Sequence, residues 1–353
     1  MSALTHTQLP DAPAAAGDGR RGGARLIDLV WLTWRQHRAT IIAGLIVAAV
    51  ITISMVYVAA RIATINKECG NTQCPDNAPQ AAALAGPLGL NTLSTYLAFV
   101  AIFMPVLTGM FLGVPLLARE HEQHTLLLAW SQDVAPHRWL WTKLALLGAL
   151  TAALSAAVSA AAGHLADVAT IATRQSLFSG NAFLVTGMLP LVQSVVWLAV
   201  GVALGAAYRR TLPAIFTALI GYGAAYLLVE RVYPSLMAPV TTLAPLASDQ
   251  GSAARLHANS LVVANPSGTI YDASGHPVSA ALQSLCQSAN DLPKGQLNPC
   301  LAPQRHLMTL LSYQPGSRIP DFHLILIGGY LGLGAIAAAL LWWLVRRTSL
   351  SAG

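Results

Sequence analysis

Apolar positions in this chain do not alternate with polar ones; they run together. Six stretches reach the roughly 20 residues needed to cross a hydrocarbon layer about 30 Å thick. They are 41–60, 96–118, 144–166, 182–207, 211–229 and 322–345. In hydrocarbon a backbone must satisfy its own amides, so each stretch is expected to be a helix. Period-2 alternation, the mark of a membrane barrel, is absent. The predicted class is an all-α integral membrane protein: an N-terminal interfacial helix, six transmembrane helices, and a small extracytoplasmic subdomain between the fifth and sixth.

The flanks follow a different pattern. Residues 1–24 are rich in Gly, Pro and Ala without apolar period, and predict a disordered tail. In 25–39, Ile27, Val30, Trp31 and Trp34 recur at helical spacing and share one face, with Asp28, Arg35 and Arg38 largely off it. Two Trp beside basic residues suit an amphipathic helix in the membrane interface; the competing reading is a simple extension of the first span. Residues 40–232 then hold spans one to five. Residues 233–320 are too polar to cross and too long for a hairpin connection. Within them, SLVVANPSGTIYDASGHPV predicts two strands turning at Pro266–Ser267–Gly268. Residues 321–353 complete the sixth span and a short tail.

Composition agrees: 55% of the 353 residues are hydrophobic, 10% are charged, and mean hydropathy is +0.56. The formal charge of +6 is largely a positive-inside bias, and no basic surface with interleaved aromatics suggests nucleic acid. Placing both termini in the cytoplasm puts twelve of the twenty Lys and Arg there, including the short Arg209–Arg210 turn and the Arg346–Arg347 exit. The expected location is therefore the cell membrane, with lipid as a partner. Cys69, Cys74, Cys286 and Cys300 all then fall outside, where disulfides persist. Three pairings are possible, and local closure, Cys69–Cys74 with Cys286–Cys300, is the simplest.

Within the spans, titratable side chains are nearly missing. His164 and Asp167 sit at the outer end of the third, and Glu230 and Arg231 at the outer end of the fifth, where headgroup contact and a Glu230–Arg231 pair explain them. No GxxxxGK[ST] loop is present, so the chain is not expected to hydrolyse nucleotide by itself. Pro105, Pro115, Pro190 and Pro213 predict kinks. Gly109–Gly113 and Gly201–Gly205 are GxxxG pairs that permit close helix crossings.

One place concentrates charge. REHEQHT, residues 119–125, opens the 25-residue connection 119–143 between the second and third spans. His121 and His124 miss the four-residue spacing of a zincin, and no further His/Glu pair completes a metal set, so no metal is expected. A docking element that passes a partner's motion to two spans competes with a solvated connecting loop.

The segment resembles the corresponding loop of ABC transporter permeases of the ABC-2 type, particularly actinobacterial ones. The likeness rests on Pro115, Arg119–Glu120, Glu122, Thr125, Ala129–Trp130–Ser131–Gln132, Trp139 and Lys143, and on YQPGSR at Tyr313–Arg318 before the last span. Where that family usually has Gly, this chain has His124. The resemblance implies a permease working as a homodimer or heterodimer with two separate ABC ATPase subunits, which hold ATP and Mg²⁺ while this chain holds no cofactor. It implies that Arg119, Glu120, His121, Glu122, His124 and Thr125 dock on the ATPase, with Glu120 the central polar contact. An exporter of a hydrophobic or amphipathic molecule is the expected function. The alternative is a membrane scaffold or sensor whose outer subdomain binds a ligand.

Overall fold

The computed structural model describes residues 26–71, 74, 78–87, 89–123, 136–173, 176–178, 180–245, 260–264, 269–288 and 307–350. The tail 1–24 and the stretch 124–135 lie outside them. Six helices among the described residues are long and apolar enough to cross a membrane: within His37–Glu68, Pro79–Glu122, Leu140–Ile171, Leu189–Tyr208, Thr211–Ser235 and Gly316–Arg347. The chain is thus a multi-pass membrane protein, as its apolar pattern predicts.

The first helix, α1 (Leu26–Glu68), is one unbroken element of 43 residues. The segment expected as a separate interfacial helix is continuous with the first span. No Gly or Pro interrupts 26–43, so nothing in the sequence breaks the backbone ladder there. Trp31 and Trp34 are exposed, with the Arg35 guanidinium 5.3 Å over the Trp31 ring. The side chains of Ile27 and Val30 lie outside the described set.

The second span is broken. After α2 (Pro79–Ala85), it comprises α3 (Leu90–Ile102), α4 (Met104–Thr108), a π-helical turn (Gly109–Gly113) and α5 (Val114–Glu122). Pro105 lacks an amide hydrogen, so the ladder fails at Phe103. The carbonyl of Ile102 at this break accepts a hydrogen bond from the Tyr222 hydroxyl. The remaining spans are α6 (Pro136–Thr173), α8 (Leu189–Tyr208), α9 (Thr211–Val232) and α11 (Ile319–Leu350), with the short α7 (Gly180–Val185) leading into α8.

Of the six, α8 is the most enclosed. Its glycines explain how neighbours come so close. A Cβ on Gly205 would stand 2.5 Å from the Val114 carbonyl oxygen, and one on Gly113 or Gly109 would stand 2.6 Å from the carbonyl of Leu198 or Trp197. A Cβ on Gly201 would collide with the Gly109 carbonyl. The two GxxxG pairs therefore face each other, backbone against backbone, across the second and fourth spans. Hydroxyls extend the contact: Ser155 of α6 donates to Ser194 at 2.7 Å, and Thr108 of α4 donates to the Ser194 carbonyl at 3.3 Å. Outward faces remain apolar, with Ile46 and Ile53 on α1, Phe216 and Ile220 on α9, and Leu324 and Ile336 on α11 exposed. Such faces suit lipid.

Between α9 and α11 lies a small sheet of β1 (Val240–Pro245), β2 (Leu261–Ala264), β3 (Ile270–Tyr271) and β4 (Met308–Gln314), with α10 (Ala280–Ser288) beside it. The expected hairpin at Pro266–Ser267–Gly268 is not what pairs. Strands β2 and β3 do not pair with each other; both run antiparallel to β4, Leu261 opposite Gln314 and Ile270 opposite Thr309. They are two parts of one interrupted edge. The reversal comes later, at Asp272–His276, where the Asp272 carboxylate accepts the Ser274 hydroxyl and the amides of Ser274 and His276 and Gly275 takes φ +82°. Those bonds, the Ser274 hydroxyl first, hold the Asp272 carboxyl below the usual carboxylate range.

Cys69 and Cys74 form the expected disulfide. Cys286 is also disulfide-bonded, and Cys300 lies outside the described residues. Glu230 accepts a hydrogen bond from Tyr226 at 2.8 Å, one helical turn away, in place of a pair with Arg231. Adjacent residues on a helix do not face each other, whereas i and i+4 do.

Candidate functional site

The charged cluster sits on the last turn of α5, at the end of the bundle remote from the Cys69–Cys74 disulfide. Helix α5 begins with Pro115 at its second position, and its first five residues pack apolar side chains inward: Val114, Leu116, Leu117 and Ala118 are buried. That face fixes the rotation of the polar turn that follows. Arg119 and Glu122 are exposed, while Glu120 and His121 are half-buried.

Glu120 points into the bundle. Its Oε1 accepts a hydrogen bond from Lys143 Nζ of α6 at 3.2 Å, with side-chain exposures of 17% and 2%. A lysine buried to that degree needs a carboxylate, because an isolated ammonium loses its hydration on burial. The other oxygen, Oε2, is buried without a hydrogen-bond partner. Expected as a central contact to a partner, this carboxylate instead joins α5 to α6.

Glu122 makes a second tie. Its Oε1 accepts the Thr211 amide at 2.7 Å and its Oε2 the Thr211 hydroxyl at 3.0 Å. Thr211 is the first residue of α9, whose leading amides have no partner within the helix, so the carboxylate satisfies one of them and complements the helix dipole. The preceding turn is only Arg209–Arg210, with Arg209 left-handed at φ 54° and its amide closing on the Gly205 carbonyl. Two acids on one helical turn thus reach two different helices, while the glycines of α5 and the π turn lock against α8.

Beside these ties runs a groove of about 720 Å³, walled by His37 of α1, Phe111 and Pro115, Arg119 and Gln123, and Ile215 of α9. Arg119 and Gln123 line its charged mouth; Phe111 and Ile215 its apolar wall. Among the described residues no group of three or more His, Cys, Asp or Glu is arranged to hold a metal ion. His124 and Thr125 of the expected docking set lie outside the described residues, as do Ala129, Trp130, Ser131 and Gln132.

Sequence reasoning missed two members of this site. Lys143 stands in the sequence as one more basic residue at a span end, and Thr211 as the start of a helix. Neither carries a local signal, because each is defined by a partner 23 or 89 residues away.

The family described as ABC-2 membrane transporter related matches residues 44–233, more than half of the 353-residue chain. A second match, to a domain of unknown function (DUF8319), covers residues 235–319. No curated protein and no solved structure matches the chain. The family match spans the broken second helix, the interlocked glycines and the Glu120–Glu122 turn together, and the chain belongs to the ABC-2 membrane transporter related family, as a permease of the kind that works with ABC ATPase subunits.

Proposed function

We propose that this chain is the membrane subunit of an ATP-driven exporter of a hydrophobic or amphipathic molecule, and that the turn beginning at Arg119 is where a separate ATPase docks. The observation that carries the reading is the double tie: Glu120 to Lys143 on α6 and Glu122 to Thr211 on α9. A force applied at this turn reaches both helices through ion-pair and cap contacts, and reaches α8 through the glycine interlock. Small displacements are passed on by packed elements of this kind because such packing is poorly compressible. In this arrangement Arg119 and Gln123 face the ATPase, and Glu120 is the strut behind them.

The complex would hold two ATPase subunits, carrying ATP and Mg²⁺, and two permease copies or a copy and a paralogue. Both termini lie in the cytoplasm, with Arg346 and Arg347 stacked on Trp343 and Trp342 at the same border, and the Cys69–Cys74 disulfide and the sheet lie outside. Arginine on Trp suits that boundary, where the ring is apolar and the guanidinium reaches phosphates.

Affinity purification of the tagged chain from its own membranes tests the reading. An ATP-hydrolysing partner should accompany it, and Arg119→Ala with Gln123→Ala should release that partner. Glu120→Ala should keep the partner but lose the link between hydrolysis and transport. A chain that brings no ATPase under any condition loses its energy source, and the scaffold or sensor reading takes its place.

A further inference from the structure

A second cavity, of about 410 Å³, lies at the disulfide end of the bundle between α1, α3, α6 and the segment leading through α7. Its place is fixed by Asn66, three residues before Cys69, whose side-chain amide donates to the Val168 carbonyl of α6 at 2.9 Å. The volume falls within the range of small-molecule sites. The cavity exists because its walls are built from small residues.

The lining divides along the helices. Met55, Ala98, Leu165, Ala166 and Val185 form the part nearer the middle of the spans. Ser94, Thr95, Thr170 and Asn181 form the part nearer the helix ends. No described lining residue is charged. His164 and Asp167 of the same helix are exposed and do not line it.

The hydrogen bonds sharpen this. Ser94 and Thr95 donate to the Asn91 carbonyl at 2.7 and 3.0 Å, and Thr170 donates to the Asp167 carbonyl at 2.7 Å. A hydroxyl has one proton and two lone pairs, so these three present acceptors to the cavity. Asn181 makes no side-chain hydrogen bond among the described residues and keeps both amide donor and carbonyl acceptor. An occupant must therefore donate hydrogen bonds at one end and be apolar at the other. It must also be neutral, because nothing in the wall offsets the loss of hydration of a charge.

We infer that this cavity binds a neutral amphiphile with a hydroxylated head, its head at Ser94, Thr95, Thr170 and Asn181 and its chain toward Met55 and Val185. The site is within one chain and is independent of the docking turn, so it is testable without an ATPase or nucleotide.

The test uses the full chain in nanodiscs and a monoacylglycerol carrying a diazirine in its acyl chain. An alkyl phosphate and an alkyltrimethylammonium of the same length and with the same diazirine serve as charged comparisons. After irradiation, labelled peptides are identified by mass spectrometry. The monoacylglycerol should label 162–170 and 176–185 saturably, and unlabelled monoacylglycerol should compete. Asn181→Leu should weaken its half-saturation roughly fivefold, the worth of one hydrogen bond of about 1 kcal/mol. Ala166→Phe should abolish saturable labelling by filling the cavity; Ala98→Ile repeats that test if the larger side chain prevents folding, which size-exclusion chromatography reports. Equal labelling by either charged probe overturns the neutral head. Labelling that never saturates, or that survives both filling substitutions, is ordinary lipid contact and overturns the site.

Discussion

At the scale of single residues the Glu120–Lys143 pair decides most. Removing one member of a fully buried ion pair costs roughly 3–5 kcal/mol, while replacing both by apolar groups is often neutral. The figure should be smaller here, since Glu120 is 17% exposed. Glu120→Ala should therefore lower the melting temperature in detergent, and adding Lys143→Met should recover most of the loss. A double variant no more stable than Glu120→Ala would show that the pair is not what holds the lysine. The acids themselves were legible as a cluster in an apolar chain. Their direction was not, because it is set by the buried Val114, Leu116 and Leu117 on the turn before. The same limit applies to the outer cavity, whose hydroxyls and amide are unremarkable in the sequence and acquire meaning from which helices converge on them.

Elements meet through glycine. Gly109, Gly113, Gly201 and Gly205 were legible as GxxxG pairs, and the spans that carry them were legible from length. That the pairs face each other was not, since one sequence shows that a helix can approach closely but not which helix it approaches. Gly205→Ala should destabilise by about 1–3 kcal/mol, the usual cost of overpacking, because its Cβ would stand 2.5 Å from backbone that cannot rotate away. Gly223→Ala on α9 is the control. Nothing lies within 4 Å of its Cβ, so the gain in helix propensity, up to about 1 kcal/mol, should leave the protein as stable or more so. Thermal unfolding of the two variants side by side separates packing from propensity. The cysteine pair belongs to this scale too: it closes a loop between α1 and α2, and Cys69→Ser with Cys74→Ser should cost about 2 kcal/mol by chain entropy for so short a loop, read as a lower melting temperature with membrane insertion intact. The strand errors have a plain cause. Residues 261–264 and 270–271 were recognisable as strands, but their common partner β4 is nearly forty residues further on.

Across the whole molecule, the bundle has a rigid interior and two ends of different character: a charged turn tied to three helices, and a disulfide-closed end with the neutral cavity. The π turn at Gly109–Gly113 stands between them on the second span. Such a turn holds one residue more than the α-helix it interrupts, and each helical residue advances the chain by about 100° around its axis. The turn is therefore a phase setting. Deleting Phe111, an exposed member of it, should let the helix run on as α and swing everything after it by that angle. Glu120 would then face away from Lys143 and Glu122 away from Thr211, with every residue of the docking turn still present. A variant that keeps its composition, its six spans and its acids, yet binds no partner, would show that the azimuth of this turn matters as much as its charge.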